Sequence, residues 1–363
     1  MYKLRTISIK AQVRRLKYFS IFIDFLGTDG LQKQFLENKV LDWSNTSRED
    51  FQKLISPTGE ISKKNSKIKS QSFQNYLEAT RKLNLIEENS IYIQTTRTGQ
   101  VLYTLKKFPG NSDTPINAYQ LNNLEKAFFL YNILLNDADI FITVLRMLYE
   151  APGKPLNNYL KSYQKYFISR LKQKLKVLRP PDSDKVLDAL NRVMGWRSPE
   201  KYCEDIVSPR LHWMIDLCLL SEKKYELNPQ GKAIYEHFPI IEKDIRDIGA
   251  EWIENSLADL LSCFFIEHEI KMWSALGSIQ KDEVITESLF YAIKYLSVLN
   301  IPRLSVPQTF LFTTLFLLYQ KNVKIEFSDI SNWIGFEKVI NDKKIGLRMA
   351  ARPEESYIRI LNA

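Results

Sequence analysis

Leu83-Asn84-Leu85-Ile86 leads through Glu87-Glu88-Asn89-Ser90 and Ile91-Tyr92-Ile93-Gln94-Thr95-Thr96-Arg97-Thr98 to Gly99, and Gln100-Val101-Leu102-Tyr103 follows. The chain spells this arrangement a second time. Leu217-Cys218-Leu219-Leu220 passes Ser221-Glu222-Lys223-Lys224 and Tyr225-Glu226-Leu227 to Asn228-Pro229-Gln230-Gly231, with Lys232-Ala233-Ile234-Tyr235 behind it. Leu83 and Leu217 stand sixteen and fourteen residues before their glycines, and each glycine precedes a Leu/Ile-Tyr pair at plus three and plus four. A hairpin loop of variable length absorbs a difference of two. Each copy reads as a helix ending in an apolar cluster, a short hairpin of alternating apolar and polar residues, and a polar turn with glycine that starts another helix.

Upstream of the first copy, Ser70 is placed to cap a helix reaching Leu83, with Phe73, Leu77 and Thr80 inward and Tyr76 at the margin. Its other face carries Gln71, Gln74, Asn75, Glu78 and Arg81. Upstream of the second copy, Ser198-Pro199 and Ser208-Pro209 each set a capping hydroxyl before a proline at a first helical position. Two helix starts ten residues apart leave room for two turns of helix and a tight turn. The second helix would then present Arg210, His212, Trp213 and Asp216.

On these residues, 44–108 and 198–238 resemble winged helix-turn-helix domains. The resemblance implies a mostly α protein with small β-wings, as tandem winged helix-turn-helix domains joined by helical segments. It further implies a second helix lying in the DNA major groove and a wing along the backbone, although many members of the superfamily bind protein. Gln and Asn pair bidentately with adenine, so Gln71, Gln74 and Asn75 suit base contact, while Lys63, Lys64, Lys67 and Lys69 suit phosphates. Arg97 in the first copy, and Arg210, His212, Lys223 and Lys224 in the second, complete the contacts expected of the two modules.

Charge divides the chain. Residues 1–110 hold nineteen basic and ten acidic residues, 19 − 10 = +9, equal to the excess of the whole chain. Phe108-Pro109-Gly110-Asn111-Ser112-Asp113-Thr114-Pro115 reads as a linker closing this first domain. Residues 116–181 form a helical connector, split near Asn136-Asp137-Ala138-Asp139, where an aspartate can cap the second piece. The connector ends in a run of Lys154, Lys161, Lys165, Arg170, Lys172, Lys174, Lys176 and Arg179 with no acid between Glu150 and Asp182. A basic helix of this kind follows a phosphate backbone, with Lys161, Lys165, Arg170 and Lys172 as its expected contacts. Tyr159, Tyr163, Tyr166 and Phe167 interleave at i, i+4, i+7 and i+8, a spacing that packs against the domain.

The second winged domain spans 182–240, an acidic helical region 241–300, and a weaker winged-helix-like domain 301–363. Residues 236–290 balance four bases against twelve acids, 4 − 12 = −8, which repels DNA and offers a surface to a protein partner. In the last domain, Phe310–Tyr319 and Phe327–Ile334 read as helices, and 345–348 with 357–360 as a hairpin.

Catalytic patterns are absent from the sequence. His212, His237 and His268 are the only histidines, Glu267-His268-Glu269 lacks the second histidine of a zincin, and there is no phosphate-cradling glycine loop. Cys203, Cys218 and Cys263 are odd in number and far apart, so neither a disulfide framework nor a zinc site is expected, and a reducing cytoplasm is the default. No cofactor or metal is expected, and no membrane span. The expected function is therefore non-catalytic binding of double-stranded DNA. In architecture this resembles the DNA-recognition parts of type IIS restriction and nicking enzymes and winged-helix subunits of bacterial defence systems. The competing readings are a winged-helix scaffold that binds protein through 236–290, and the recognition part of an enzyme whose nuclease lies elsewhere.

Overall fold

The computed structural model describes residues 4–52, 70–89, 91–108, 117–221, 224–238, 257–265, 269–296, 303–335, 337–340, 343–350 and 355–361. The chain opens on α1 (Lys17–Leu26). The amides of Arg14 and Arg15 donate to the Tyr76 hydroxyl at 2.9 Å, and that of Leu16 to Asp216 at 2.8 Å. Distant side chains thus satisfy N–H groups that precede the helix. Strand β1 (Leu31–Gln32) leads into α2 (Lys33–Thr46), a helix not anticipated from sequence because it buries only Leu36, Val40 and Ser44. The short α3 (Arg48–Gln52) follows.

Helix α4 (Ser70–Lys82) lies where expected and buries Phe73, Tyr76, Leu77, Ala79 and Thr80. Strands β2 (Ile86–Asn89) and β3 (Tyr92–Thr95) form an antiparallel hairpin from Ile86↔Thr95 to Asn89↔Tyr92. Leu31 pairs with Ile93 on the other edge of β3, so the sheet order is β1-β3-β2. Helix α5 (Arg97–Lys106) is capped by Thr96.

Helix α6 (Asn123–Glu150) runs through the core behind a capping box made by Asn122 and Glu125. Among the described helices it alone is long and apolar enough to cross a membrane, but 89% of its most apolar window is buried inside the protein, the placement of a core helix. It bends at Asp137 (φ −135°, ψ 16°), within the expected break, yet Asp137 and Asp139 do not act as the expected cap. They hold groups from distant segments, as described below.

Helices α7 (Leu156–Leu175) and α9 (Pro199–Asp216) pack beside α6, and α8 (Asp182–Met194) packs on α7. The expected second start at Ser208-Pro209 is overturned, since α9 is continuous and Pro209 lies inside it. An interior proline costs about 3 kcal/mol. Burial of Val207, Leu211, Trp213 and Met214, each contributing about 1.5–3 kcal/mol, outweighs that cost. The second hairpin contracts to one bridge, Leu220↔Leu227, before α10 (Pro229–His237).

Beyond it lie α11 (Leu257–Ser262), β4 (Lys271–Met272), α12 (Ser278–Leu296), β5 (Arg303–Ser305), α13 (Val306–Phe316), β6 (Val323–Lys324) and α14 (Phe327–Ile334). Strands β7 (Glu337–Ile340), β8 (Lys343–Arg348) and β9 (Tyr357–Leu361) close the chain in a sheet of order β5-β9-β8-β7, while β4 and β6 pair in parallel. The fold is mostly helical with small sheets. One hydrophobic core runs from Ile7 to Ile358 across all the expected domain boundaries. The Phe108 ring, for example, lies 4.7 Å from that of Tyr291 and 5.3 Å from that of Phe316.

Candidate nucleic-acid interface

The two sequence copies build one joint twice. After α4, Asn84 turns left-handed at φ 56°, and after α9, Cys218 does so at φ 56°. The next amide bonds back to the helix, Leu85 to the Thr80 carbonyl at 3.1 Å and Leu219 to that of Met214 at 2.8 Å. The following helix is tied to the turn from its cap. The Thr96 amide donates to the Leu85 carbonyl and the Asn228 amide to that of Leu219, both at 3.0 Å. Their side chains reach the carbonyls of Asn84 and Cys218, at 2.6 and 2.7 Å, and also cap the amides of Gly99 and Gly231. A Cβ on either glycine would stand 2.3 Å from a backbone oxygen, of Leu85 or Leu219. Only glycine permits so close an approach.

The helices leading into these joints face different surroundings. On α4, Gln71, Glu78 and Arg81 are exposed, and Gln74, Asn75 and Lys82 are half-buried. The N-terminal segment lies along one edge, where Asn75 Nδ2 donates to Gln12 at 2.7 Å and Lys82 Nζ to the Ser8 carbonyl at 2.6 Å. Asn75 is therefore engaged by the protein, which limits it as a base reader. The wing lies along the other edge, with Glu88 accepting from Lys33 at 3.0 Å and lying 3.6 Å from Arg81. Where the wing tip and α4 meet the start of α2, a cleft of about 400 Å³ is lined by Gln32, Lys33, Gln34, Glu37, Gln74 and Ile91. Arg97 is exposed at the start of α5. Lys63, Lys64, Lys67 and Lys69 lie outside the described residues, as does Lys223, while Lys224 is exposed.

On α9, by contrast, the expected reading positions are withdrawn from any ligand. Arg210 is fully buried, donating through Nε and Nη2 to Asp137 at 2.7 and 2.9 Å and to the Ile7 carbonyl at 2.7 Å. Trp213 is also fully buried, its indole N–H donating to the Val13 carbonyl at 3.1 Å, so it is no exposed anchor for a partner. His212 is half-buried with Nδ1 2.8 Å from the Ser208 carbonyl. Desolvation lowers its pKa to about 4, which leaves it neutral and unsuited to phosphate. These three assignments are corrected.

The basic helix α7 divides by its periodicity. Tyr159, Tyr163, Phe167, Arg170, Leu171 and Lys174 form its buried face, as the aromatic spacing implies for the first three. Arg170 Nε donates to Asp139 at 3.0 Å and Lys174 Nζ binds the same carboxylate, which also accepts the Arg5 amide at 2.9 Å. Burial would raise the Asp139 pKa, but Lys174 and Arg170 outweigh it and hold it near about 2. Arg170 is thus an internal ion-pair partner, and its assignment to DNA is corrected too. Lys161, Lys165, Lys172 and Lys176 point the other way and are exposed. At 100° per residue they fall within one narrow stripe, about 22 Å long at 1.5 Å per residue. None of the four has an ion-pair partner among the described residues.

Of the six described acids of the 236–290 region, three form surface ion pairs with lysines of the C-terminal part. Asp259 binds Lys324, Asp282 lies 3.0 Å from Lys338 and Glu287 2.7 Å from Lys321. Among the described residues, no group of three or more His, Cys, Asp or Glu side chains is placed to hold a metal ion. Compared with protein-family models, characterised proteins and solved structures, the chain matches none.

Proposed function

We propose that this protein binds double-stranded DNA without catalysing a reaction on it, with α7 following the phosphate backbone and the open face of α4 set toward a groove. The observation that carries the reading is the α7 stripe. Four exposed lysines on one helix face, with no counterion among the described residues, repel one another and leave their charge available to a polyanion.

The winged-helix reading of the first domain, 1–110, draws support from element order. Helix α1, β1, helices α2 and α4, then β2 and β3 in a sheet ordered β1-β3-β2, is the arrangement of a helix-turn-helix with its wing. The C-terminal region repeats the scheme with α12, β5, α13, α14, β8 and β9, where β9 again lies between β5 and β8. In this reading α4 is the helix nearest the groove and Gln71, Gln74 and Arg81 are its contacts. The second copy, with its buried α9, acts as a structural support.

The test is a binding series on random duplexes over a range of salt. Charge reversal at Lys161, Lys165 and Lys172 together is expected to reduce the slope of log K against log salt by about 0.9 per lost contact, with the melting temperature unchanged because all three are exposed. An unchanged slope, or a destabilised triple variant, would overturn the assignment in favour of an internal acidic partner for α7.

A further inference from the structure

The join between α8 and α9 holds an aromatic pair that the duplex reading does not use. Trp196 and Tyr202 stack with ring centroids 5.4 Å apart and planes inclined by 24°. Trp196 is half-buried against the core, whereas Tyr202 is 52% exposed. One face of the tyrosine is therefore backed by an anchored indole, and much of the ring meets solvent. A rigid, backed aromatic with a free surface is the geometry on which a nucleobase stacks.

Three further observations set this pair in a nucleic-acid context. First, it is fixed to α7 beside the lysine stripe, since Gln164 Nε2 donates to the Val193 carbonyl at 2.8 Å. Lys161 and Lys165 flank Gln164 within one helical turn. Second, Arg197 and Lys201, which adjoin the two rings in sequence, are both exposed. Third, the exposed acids of the same turn, Glu200 and Glu204, lie two residues either side of Tyr202, about 160° around the helix from it. Asp205, which lies about 60° from Tyr202 on the same face, is engaged by the N-terminal segment, accepting from the Ala11 amide at 2.9 Å and lying 3.9 Å from Lys10.

We infer that Tyr202, backed by Trp196, is a stacking site for an unpaired base of a nucleic acid whose backbone follows Lys161 and Lys165. This rests on the reading of α7 as a phosphate-binding helix. The favoured ligand would be a duplex with a single-stranded tail or another unpaired nucleotide. Stacking on one ring is sequence-tolerant, because every base offers a π-face.

The experiment compares the full chain on a blunt duplex and on the same duplex carrying a short single-stranded tail. The tailed DNA is expected to bind more tightly. Tyr202→Ala should weaken the tailed DNA by about 5- to 150-fold while leaving the blunt duplex within about two-fold, and Tyr202→Phe should retain the preference. Binding of the tail should also quench tryptophan emission in the wild type and not in Trp196→Phe. Equal affinity for the two DNAs, with the lysine-dependent salt slope intact, would overturn the stacking site and leave the duplex reading standing. Failure to bind either DNA would overturn both. Tyr202-dependent capture of a polyglutamate peptide, with the tailed DNA indifferent to Tyr202, would reassign the surface to an acidic protein segment. An equal loss on both DNAs with a lowered melting temperature for Tyr202→Ala would give the tyrosine a structural role and overturn the proposal.

Discussion

Helices α4 and α9 enter the same joint and do different work. Aligned on the left-handed residues Asn84 and Cys218, Tyr76 corresponds to Arg210, Glu78 to His212, Ala79 to Trp213, Arg81 to Ile215 and Lys82 to Asp216. Tyr76 and Ala79 are buried like their counterparts, but Glu78 and Arg81 are exposed where His212 and Ile215 are half-buried, and the half-buried Lys82 corresponds to the buried Asp216. The joint is a local object, made by a left-handed residue, a capping side chain and a glycine. What the helix before it faces is decided by segments far away in sequence. A duplicated local pattern therefore guarantees a duplicated turn, but not a duplicated surface.

The strongest way to break this comparison is Arg210→Ala. Its loss strands the Asp137 carboxylate, fully buried in α6, with the Ile7 amide as its remaining neighbour at 2.9 Å. Breaking a buried pair by removing one partner costs about 3–5 kcal/mol, whereas Arg81→Ala on the exposed face of α4 should cost less than about 0.5 kcal/mol. Denaturant titration of the two variants measures the difference. If Arg210→Ala instead kept full stability and lost DNA affinity, α9 would be a reading helix after all.

The second test uses protons. His212 has an ordinary pKa of 6.5 when unfolded and about 4 in the fold, so the unfolded chain takes up the proton first as the pH falls. Stability from the neutral, buried imidazole is complete above 6.5 and is lost as the pH falls toward 4, a change of about 2–3 kcal/mol. The counterpart Glu78, whose pKa is lowered by its hydrogen bond from Lys82, is exposed, and its contribution starts to be lost only near its ordinary value of 4.5. Melting curves from pH 7 to pH 4 should therefore flatten in His212→Gln. Because the raised pKa of Glu326, about 7, works in the opposite direction over this window, the comparison is between variant and wild type, and identical curves would mean that the ring is solvated.

The third test asks whether the two joints are equivalent. Gly99→Ala and Gly231→Ala each force a methyl against a backbone oxygen that cannot swing aside, and each should cost on the order of 2 kcal/mol. Similar losses in thermal denaturation would confirm one joint used twice. A harmless Gly231→Ala would show that the contracted second hairpin has room to relax.

Much of this was legible in the sequence because it is local. The span of α4, the wing hairpin, and the glycine and cap of each joint all depend on neighbours a few residues apart. The burial of Arg170 and Lys174 was also within reach, because Tyr159, Tyr163 and Phe167 mark a stripe that 170 and 174 extend at i+11 and i+15. Counting the cations as one run obscured that division. Arg210 could not be placed from its surroundings, since its partner Asp137 is 73 residues away and its other acceptor, Ile7, is 203 away. Helix α2 escaped because three buried residues in fourteen leave too weak a period to read. Ser208-Pro209 misled because a strong local stop signal was outweighed by the apolar contacts of a helix that continues through it.

The smallest expected effect sharpens the comparison at the turn itself. Both joints need a left-handed residue, and a side chain with a Cβ pays of order 1 kcal/mol to adopt it, asparagine less than others because its short polar side chain bonds locally. The first joint has that residue in Asn84, and the second has Cys218. Cys218 is exposed, and the hydrogen bond that Asn228 makes there goes to its backbone carbonyl, so replacing the side chain removes no packing and no partner. Cys218→Asn is accordingly expected to raise stability by about 0.5 kcal/mol, and Cys218→Gly by a similar amount once the greater freedom of an unfolded glycine is set against the relief of strain. The reciprocal Asn84→Cys should lower it by about as much. Since each shift is close to the resolution of a single denaturation curve, the measurement is made on the Cys218→Asn and Asn84→Cys variants together with the wild type, where opposite signs are the signature. Two shifts of the same sign would mean that the turns differ in more than the residue that fills them.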